Sequence, residues 1–210
     1  MPEFIPGIEL AGLYYHKAVK PILQSRYPML VHSAGLIGAG SEVLGFDDET
    51  STDHSWGPRL ILFLSKQEPA WAADKVRLTL GQELPFSFHG YSTHFEDVPD
   101  EPGAVVPAET DSRPINHTVR ITVLSEFLQH YVGTPLEEEP TVLDWLTIPG
   151  QKLRSLVAGA VFHDGLQVLG PMQRKLCLLY TSPSPRDRSA YLVCRLLLEK
   201  GGGGGGGGGG

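Results

Sequence analysis

The chain has 210 residues, of which 41% are hydrophobic and 20% charged, and it carries a formal net charge of −7 at pH 7. A chain of this length can bury a core without disulfide bonds, and its acidic balance argues against binding of duplex nucleic acid through a basic face. It has neither a charged start followed by an apolar run nor about 18 consecutive apolar residues, so we expect a cytoplasmic protein with no membrane partner.

The first part of the chain predicts a helix followed by a strand. Apolar residues recur at helical spacing over residues 8–23, and we expect Pro21 to kink or split that helix. Residues 29–37 form an apolar run that we interpret as a buried strand. This strand leads into a glycine turn at residues 38–41, and residues 42–46 suit a single helical turn.

The middle of the chain predicts one central strand, one helix and one long loop. Residues 59–65 contain an unbroken apolar run, which is typical of a strand inside a sheet. Residues 68–84 predict an amphipathic helix with Pro69 in its first turn, where proline is tolerated. Residues 90–114 are rich in proline, glycine and acids and have no sustained period, so we interpret them as a surface loop.

The last part of the genuine sequence predicts a half-buried strand and then helices. Apolar and polar residues alternate over residues 117–124, as in a strand with one buried face. We expect helices at residues 125–131, with Ser125 as the cap, and at residues 141–146 and 151–162. His163, Asp164 and Gly165 are interpreted as the end of the last of these helices.

This order of elements predicts an α/β or α+β fold. We expect a small mixed sheet flanked by helices over residues 1–135. Residues 136–176 are expected to begin a helical C-terminal region that is truncated in this chain.

The remaining residues, 177–210, are interpreted as a non-native tail rather than a genuine basic segment with a glycine linker. Translated back into codons, residues 177–187 and 191–199 match the adapter ends of sequencing libraries, with room for a sample index at residues 188–190, and the chain then closes with glycines from 201 to 210. We therefore leave this tail out of functional reasoning. Both cysteines, Cys177 and Cys194, belong to it, so the sequence predicts no disulfide or thiolate site. Without the tail the net charge is about −9.

The turn that contains Gly40 and Ser41 is the leading candidate site. Backbone N–H groups exposed in such a turn can bind phosphate oxygens, and glycine lets a ligand approach the main chain. Asp53 follows Ser41 by twelve residues and lies just ahead of the apolar strand. This spacing resembles the nucleotidyltransferase superfamily related to DNA polymerase beta, in which a Gly-Ser turn holds the triphosphate and acids near the next strand hold divalent metal ions.

Over residues 4–176 the chain also resembles a narrower family, domain of unknown function 4037, which is grouped with those nucleotidyltransferases. The segments that carry the resemblance are FIPG at 4–7, HSAGLIG at 32–38, GSEVLGFD at 40–47, STDH at 51–54, WGPR at 56–59, GY at 90–91 and GAVFHDG at 159–165. The resemblance implies a nucleotidyltransferase-like fold.

The resemblance also implies roles for single residues. Gly40 and Ser41 would contact the phosphates of a nucleoside triphosphate, and Asp53 would be the catalytic metal ligand. Asp47 is a second candidate ligand for Mg²⁺, which prefers oxygen donors. Two such ions would activate an attacking hydroxyl and neutralise the leaving pyrophosphate. Arg59 is expected either to pair with the acidic loop or to contact a phosphate.

The sequence departs from the superfamily pattern in two places. Ser55 stands where the second acid of the metal-binding pair belongs, so another donor, Asp47, Asp48 or Glu49, would have to replace it. The third acid is missing from the predicted strand 117–124, and Glu126 lies just past its end.

Three functional hypotheses follow. The first is metal-dependent transfer of a nucleoside monophosphate to a hydroxyl of an unknown acceptor. The second is a catalytically degenerate nucleotide-binding or scaffolding module, which the departures favour. The third is metal-assisted hydrolysis by Asp53, His54 and His89. A zinc site of His89, His94 and Asp53 is a further interpretation, although the histidine spacing is unusual for zinc.

Overall fold

The computed structural model describes residues 3–52, 55–134 and 148–180. The fold class is mixed α+β, as the sequence predicts. The helices are α1 (Gly7–Tyr14), α2 (Lys20–Arg26), α3 (Ala70–Glu83), α4 (Leu124–Val132), α5 (Gly150–Ala158) and α6 (Leu169–Tyr180). The strands are β1 (His32–Leu36), β2 (Leu60–Leu64), β3 (Ser87–Phe88), β4 (Tyr91–Ser92), β5 (His94–Asp97), β6 (Val105–Ala108), β7 (Val119–Val123) and β8 (Ala160–Asp164).

A four-stranded mixed sheet with the order β7-β2-β1-β8 is the centre of the fold. Strand β1 pairs antiparallel with β2 on one side and with β8 on the other, whereas β2 pairs parallel with β7. Because β1 and β2 run in opposite directions, the end of β1 lies beside the start of β2, where Gly35 is opposite Ile61. The segment that follows β1 is therefore next to residue 60.

The sheet separates two apolar cores. On one face, α1, α2 and α3 pack against alternate residues of the strands, including Ala34, Leu62 and Ile121. On the other face, α4, α5 and α6 pack against Ile61 and Phe63. This alternation follows from the opposite directions of successive side chains in a strand.

The three strands predicted from apolar patterns are confirmed as β1, β2 and β7. The first predicted helix is present but divided, because a π-helical segment, Tyr15–Val19, separates α1 from α2 just before Pro21. Proline lacks the N–H that would continue the regular helical bonds, and a widened turn accommodates that loss. Residues 42–46 contain a short 3-10 turn, Glu42–Leu44, instead of an α-helical turn.

The prediction of a helix over residues 151–162 is wrong in its second half. Helix α5 ends at Ala158, and the chain then forms strand β8 at the edge of the sheet. A Cβ at Gly159 would strike the backbone of Leu36 and Ile37, so this close approach to β1 requires glycine. His163 and Asp164 consequently end a strand that belongs to the central sheet, and they do not end a helix.

Two further predictions need correction. Ser125 does not cap its helix, because α4 begins one residue earlier and Ser125 is buried within its first turn. The supposed loop over residues 90–114 contains β4, β5 and β6, with β5 and β6 paired antiparallel. The helix predicted at residues 141–146 lies outside the described residues. Among the residues that are described, no helix is long and apolar enough to cross a membrane.

Candidate functional site

The glycine turn predicted from the sequence is present at the end of β1. Gly38 and Gly40 have positive φ angles of 91° and 134°, which side-chain-bearing residues rarely adopt. Ala39, Gly40 and Ser41 are exposed. The carbonyl of Ser41 accepts hydrogen bonds from the N–H groups of Leu44 and Phe46, at 3.1 and 3.0 Å, so the turn is fixed from its C-terminal side.

Three consecutive backbone donors of this turn face no acceptor from the described residues. Gly38 N–H donates to the Ser155 carbonyl at 3.3 Å. Within the described part of the chain, the N–H groups of Ala39, Gly40 and Ser41 have no hydrogen-bond acceptor. Consecutive exposed N–H groups in a turn are a common binding site for anions.

Arg59 lies against this turn and forms an ion pair with a buried acid. Its Nε donates to Glu42 Oε1 at 2.5 Å, and its Nη2 donates to the Ala39 carbonyl at 2.9 Å. The Glu42 side chain is only 3% exposed, compared with 23% for Arg59. A Cβ at Gly40 would strike both Arg59 Nη2 and the Glu42 carboxylate, so the pair can sit on the turn only because residue 40 is glycine. Arg59 thus does pair with an acid, and that acid, Glu42, precedes the predicted loop.

A small cavity of about 140 Å³ adjoins the turn. Ala39 and Arg59 form one wall, and Arg120 of β7 contributes a second guanidinium group. The Arg120 guanidinium lies 5.5 Å from the ring centroid of Phe127. Two guanidinium groups therefore lie beside the turn, and that of Arg59 is paired with Glu42.

Asp47, predicted as a metal ligand, has a structural role. Its Oδ2 accepts hydrogen bonds from the N–H of Gly7 at 2.6 Å and from Nε1 of Trp56 at 3.1 Å. These bonds connect the start of α1 to the segment that precedes β2. Asp48 is exposed and folds onto its own loop, where hydrogen bonds from Thr50 lower the pKa of its carboxyl group.

The residue predicted to be catalytic, Asp53, lies outside the described residues, as does His54. Ser55, in the position of the second acid, has a positive φ of 50°. Its N–H donates to the Val105 carbonyl at 2.7 Å, and its Oγ accepts from the Val105 N–H at 3.3 Å. The Ser55 hydroxyl is thus used to hold β6 against this segment.

Glu126 cannot supply the missing third acid at the turn. It lines a separate cavity with Leu64 and Val123, at the end of the parallel strands β2 and β7. The glycine turn lies beside the start of those strands, at about residue 60. A five-residue strand spans more than ~13 Å, so the two positions are at opposite ends of the sheet.

The histidines considered as zinc or hydrolytic residues have local partners. His94 Nδ1 accepts a hydrogen bond from the Asn116 N–H at 2.9 Å. His89 occupies the turn between β3 and β4, with a φ of 51°, and its ring packs on Phe88. Over residues 3–52, 55–134 and 148–180, no group of three acidic, histidine or cysteine side chains is arranged to hold a metal ion.

Sequence reasoning missed two residues of this site, Glu42 and Arg120. The signal for Glu42 is an acid directly after the Gly-Ser pair, but its burial depends on Arg59, seventeen residues away. Arg120 lies on the polar side of the alternating pattern of β7, which sequence analysis assigns to solvent.

Comparison of the chain with protein-family models gives no match, and searches of curated proteins and of solved structures give none either.

Proposed function

We propose that this chain is a nucleotidyltransferase-like module that binds the phosphates of a nucleotide at the turn formed by Gly38, Ala39, Gly40 and Ser41. The observation that carries the proposal is the set of three consecutive N–H groups without an acceptor in the described chain, directly beside the Arg59 guanidinium. Phosphate oxygens are suitable acceptors for such donors, and a neighbouring guanidinium group strengthens their binding.

The geometry favours binding without catalysis, which is the second hypothesis from the sequence. The Ser55 hydroxyl is engaged with Val105, and Asp47 Oδ2 already accepts two N–H groups. The described residues alone therefore do not form the carboxylate pair that a two-metal site requires. Phosphate charge would instead be neutralised by the turn and by arginine.

Metal-dependent transfer of a nucleoside monophosphate to an unknown hydroxyl acceptor is the second candidate. The position of Asp53 in the sequence favours this candidate. Asp53 lies between Asp47 and Arg59 in the chain, and Arg59 contacts the turn. If Mg²⁺ binds here, Asp53 and the nucleotide phosphates must supply ligands, with Asp47 Oδ1 as the remaining carboxylate oxygen. The acceptor is a small molecule or a protein, and duplex nucleic acid is not expected.

The first experiment removes one turn donor without changing the turn. Ser41 has a φ of −62°, which proline also adopts, so Ser41→Pro deletes the N–H while it preserves the backbone angle. We expect ATP to raise the melting temperature of the wild-type chain, and Ser41→Pro to reduce the affinity for ATP about tenfold, as for the loss of a hydrogen bond to a charged group. Calorimetric titration measures the affinity.

Ser41→Ala is the matched control, because it removes the hydroxyl and retains the N–H. It should bind ATP as the wild type does. If Ser41→Pro folds and binds ATP with unchanged affinity, or if no nucleotide binds the wild-type chain, the proposal is wrong.

Asp53→Asn separates the two candidates. Transfer is supported if the wild-type chain releases pyrophosphate from ATP and Asp53→Asn loses Mg²⁺-dependent ATP binding. The non-catalytic module is supported if ATP binding persists without metal.

A further inference from the structure

The cavity beside the glycine turn has a composition that the proposed function does not explain. Its walls include two arginines, Arg59 and Arg120, together with the apolar side chains of Leu36, Ile61 and Phe127. None of the described residues that line it is acidic. Arg59 is already paired with the Glu42 carboxylate, whereas Arg120 has no carboxylate partner among the described residues, so the positive charge of Arg120 is the one that an anion could balance.

The hydrogen-bond donors of the two arginines are only partly used. A guanidinium group has five N–H donors. Arg59 uses Nε and Nη2 on Glu42 and on the Ala39 carbonyl, whereas its Nη1 has no acceptor among the described residues. Arg120 has no carboxylate partner in the described part of the chain, and its flat group rests on the Phe127 ring. Within the described part of the chain, both groups therefore have donors left for a ligand.

The size of the cavity limits what it can hold. At about 140 Å³ it is smaller than the ~300–1,000 Å³ of most pockets for whole small molecules. It suits a single compact group. The apolar walls lower the local dielectric constant, and this strengthens the attraction between an anion and the arginines.

We propose that the cavity between Arg59 and Arg120 is a subsite for a second oxyanion, of the phosphate or carboxylate type, distinct from the N–H groups of the turn. Such an anion has two possible sources, the terminal phosphate of the nucleotide or an acidic group on the acceptor. Arginine suits this role because its planar pair of donors matches the oxygens of a phosphate or carboxylate group. The inference goes beyond the proposed function and is testable without any nucleotide.

The test measures binding of inorganic phosphate to the full chain by calorimetric titration. Arg120→Met keeps an apolar stem against Phe127 but removes the charge. We expect phosphate affinity to fall about tenfold or more, and Arg120→Lys to be intermediate because it lacks the planar donor pair. Arg77→Met is the matched control, since Arg77 is an exposed arginine on α3 paired with Asp74, and it should bind phosphate as the wild type does.

Ser41→Pro separates this inference from the proposed function. It should retain phosphate binding in the cavity even where ATP binding is weakened. A wild-type chain that does not bind phosphate, or an Arg120→Met variant that is folded and binds it as tightly as the wild type, overturns the inference. Because Arg120 is exposed, its replacement should leave the melting temperature nearly unchanged, which circular dichroism verifies.

A nucleotide series identifies the source of the anion. If Arg120→Met weakens binding of ATP but not of AMP, the subsite holds the terminal phosphate. If phosphate binding is lost and both nucleotides bind normally, the subsite serves an acidic group of the acceptor. Either result supports the subsite.

Discussion

The two ends of strand β1 differ in how their backbone N–H groups are paired. At its start, the Asp164 carboxylate accepts hydrogen bonds from Ser33 Oγ at 2.7 Å and from three N–H groups, those of Val168, Leu169 and Gly170, at 2.9 to 3.2 Å. At its other end, the turn presents three N–H groups for which the described chain supplies no acceptor. The protein itself supplies the acceptor for the donors around Asp164, whereas the described residues supply none for the donors of the turn.

Under the proposed function, this difference distinguishes a structural anion from a ligand site. Asp164 connects the edge strand β8 to the first turn of α6, so its carboxylate stabilises the fold. At the glycine turn the nearby acid, Glu42, pairs with Arg59 and accepts no hydrogen bond from the N–H groups of Ala39, Gly40 and Ser41. Among the described residues the N–H groups of the turn thus have no acceptor, as the proposed phosphate site requires.

The largest expected effect concerns the Glu42–Arg59 pair. Arg59→Met leaves a carboxylate that is 3% exposed without its cation, so we expect the free energy of unfolding to fall by about 3 kcal/mol. The double variant Arg59→Met/Glu42→Gln should recover most of that loss, because the buried charge is gone. Urea denaturation measures both. If Arg59→Met is no less stable than Arg77→Met, the burial of the Glu42 carboxylate does not depend on its pairing with Arg59.

The second effect concerns the other end of β1. Asp164→Asn keeps one acceptor oxygen but loses the charge, and we expect a loss of about 2 kcal/mol. Burial raises the pKa of Asp164, but hydrogen bonds from Gly170 and Ser33 outweigh burial and hold it below the usual value of 3.8.

The sign of the pH dependence of this variant follows from that lowered pKa. The stabilisation by Asp164 is fully present above the unfolded-state pKa and is lost as the pH falls through the lower folded-state pKa. The difference between wild type and Asp164→Asn should therefore shrink in acid. Asp97→Asn, at an exposed carboxylate of β5, is the control and should not change the denaturation midpoint at neutral pH. Equal effects of the two variants would contradict the structural role of Asp164.

The smallest effect involves His32, at the same end of β1 as Asp164. Its side chain is 7% exposed and its Nε2 lies 3.0 Å from the Tyr15 hydroxyl. Burial lowers the pKa of His32 below its usual 6.5, despite an opposing hydrogen bond to the Leu30 carbonyl. The unfolded chain then binds a proton that the folded chain does not, so stability is lost as the pH falls below about 6.5.

His32→Gln should accordingly show a smaller decrease in melting temperature between about pH 7.5 and 5.5 than the wild type. His117, whose pKa burial also lowers, contributes separately, and His32→Gln/His117→Gln should flatten the profile further. Identical profiles for wild type and His32→Gln would contradict this prediction.

Local patterns were enough to locate the elements of the sheet centre. The unbroken apolar run of β2 and the alternation of β7 are properties of a few neighbouring residues, so the sequence reveals them directly. Strand β8 was missed because Val161 and Phe162 continue the apolar pattern of α5, and only pairing with β1 makes them a strand. Strands β5 and β6 are short, and Pro107 interrupts the pattern of β6.

The amino-acid sequence by itself determined the α+β class, the position of the glycine turn after β1 and its glycine at residue 40, since these depend on local pattern and backbone freedom. Only the tertiary structure decided that Glu42 is buried against Arg59, that Arg120 faces the same cavity, and that Asp47 joins α1 to Trp56. Those contacts join residues far apart in the chain, and their formation depends on how the sheet brings its strands together.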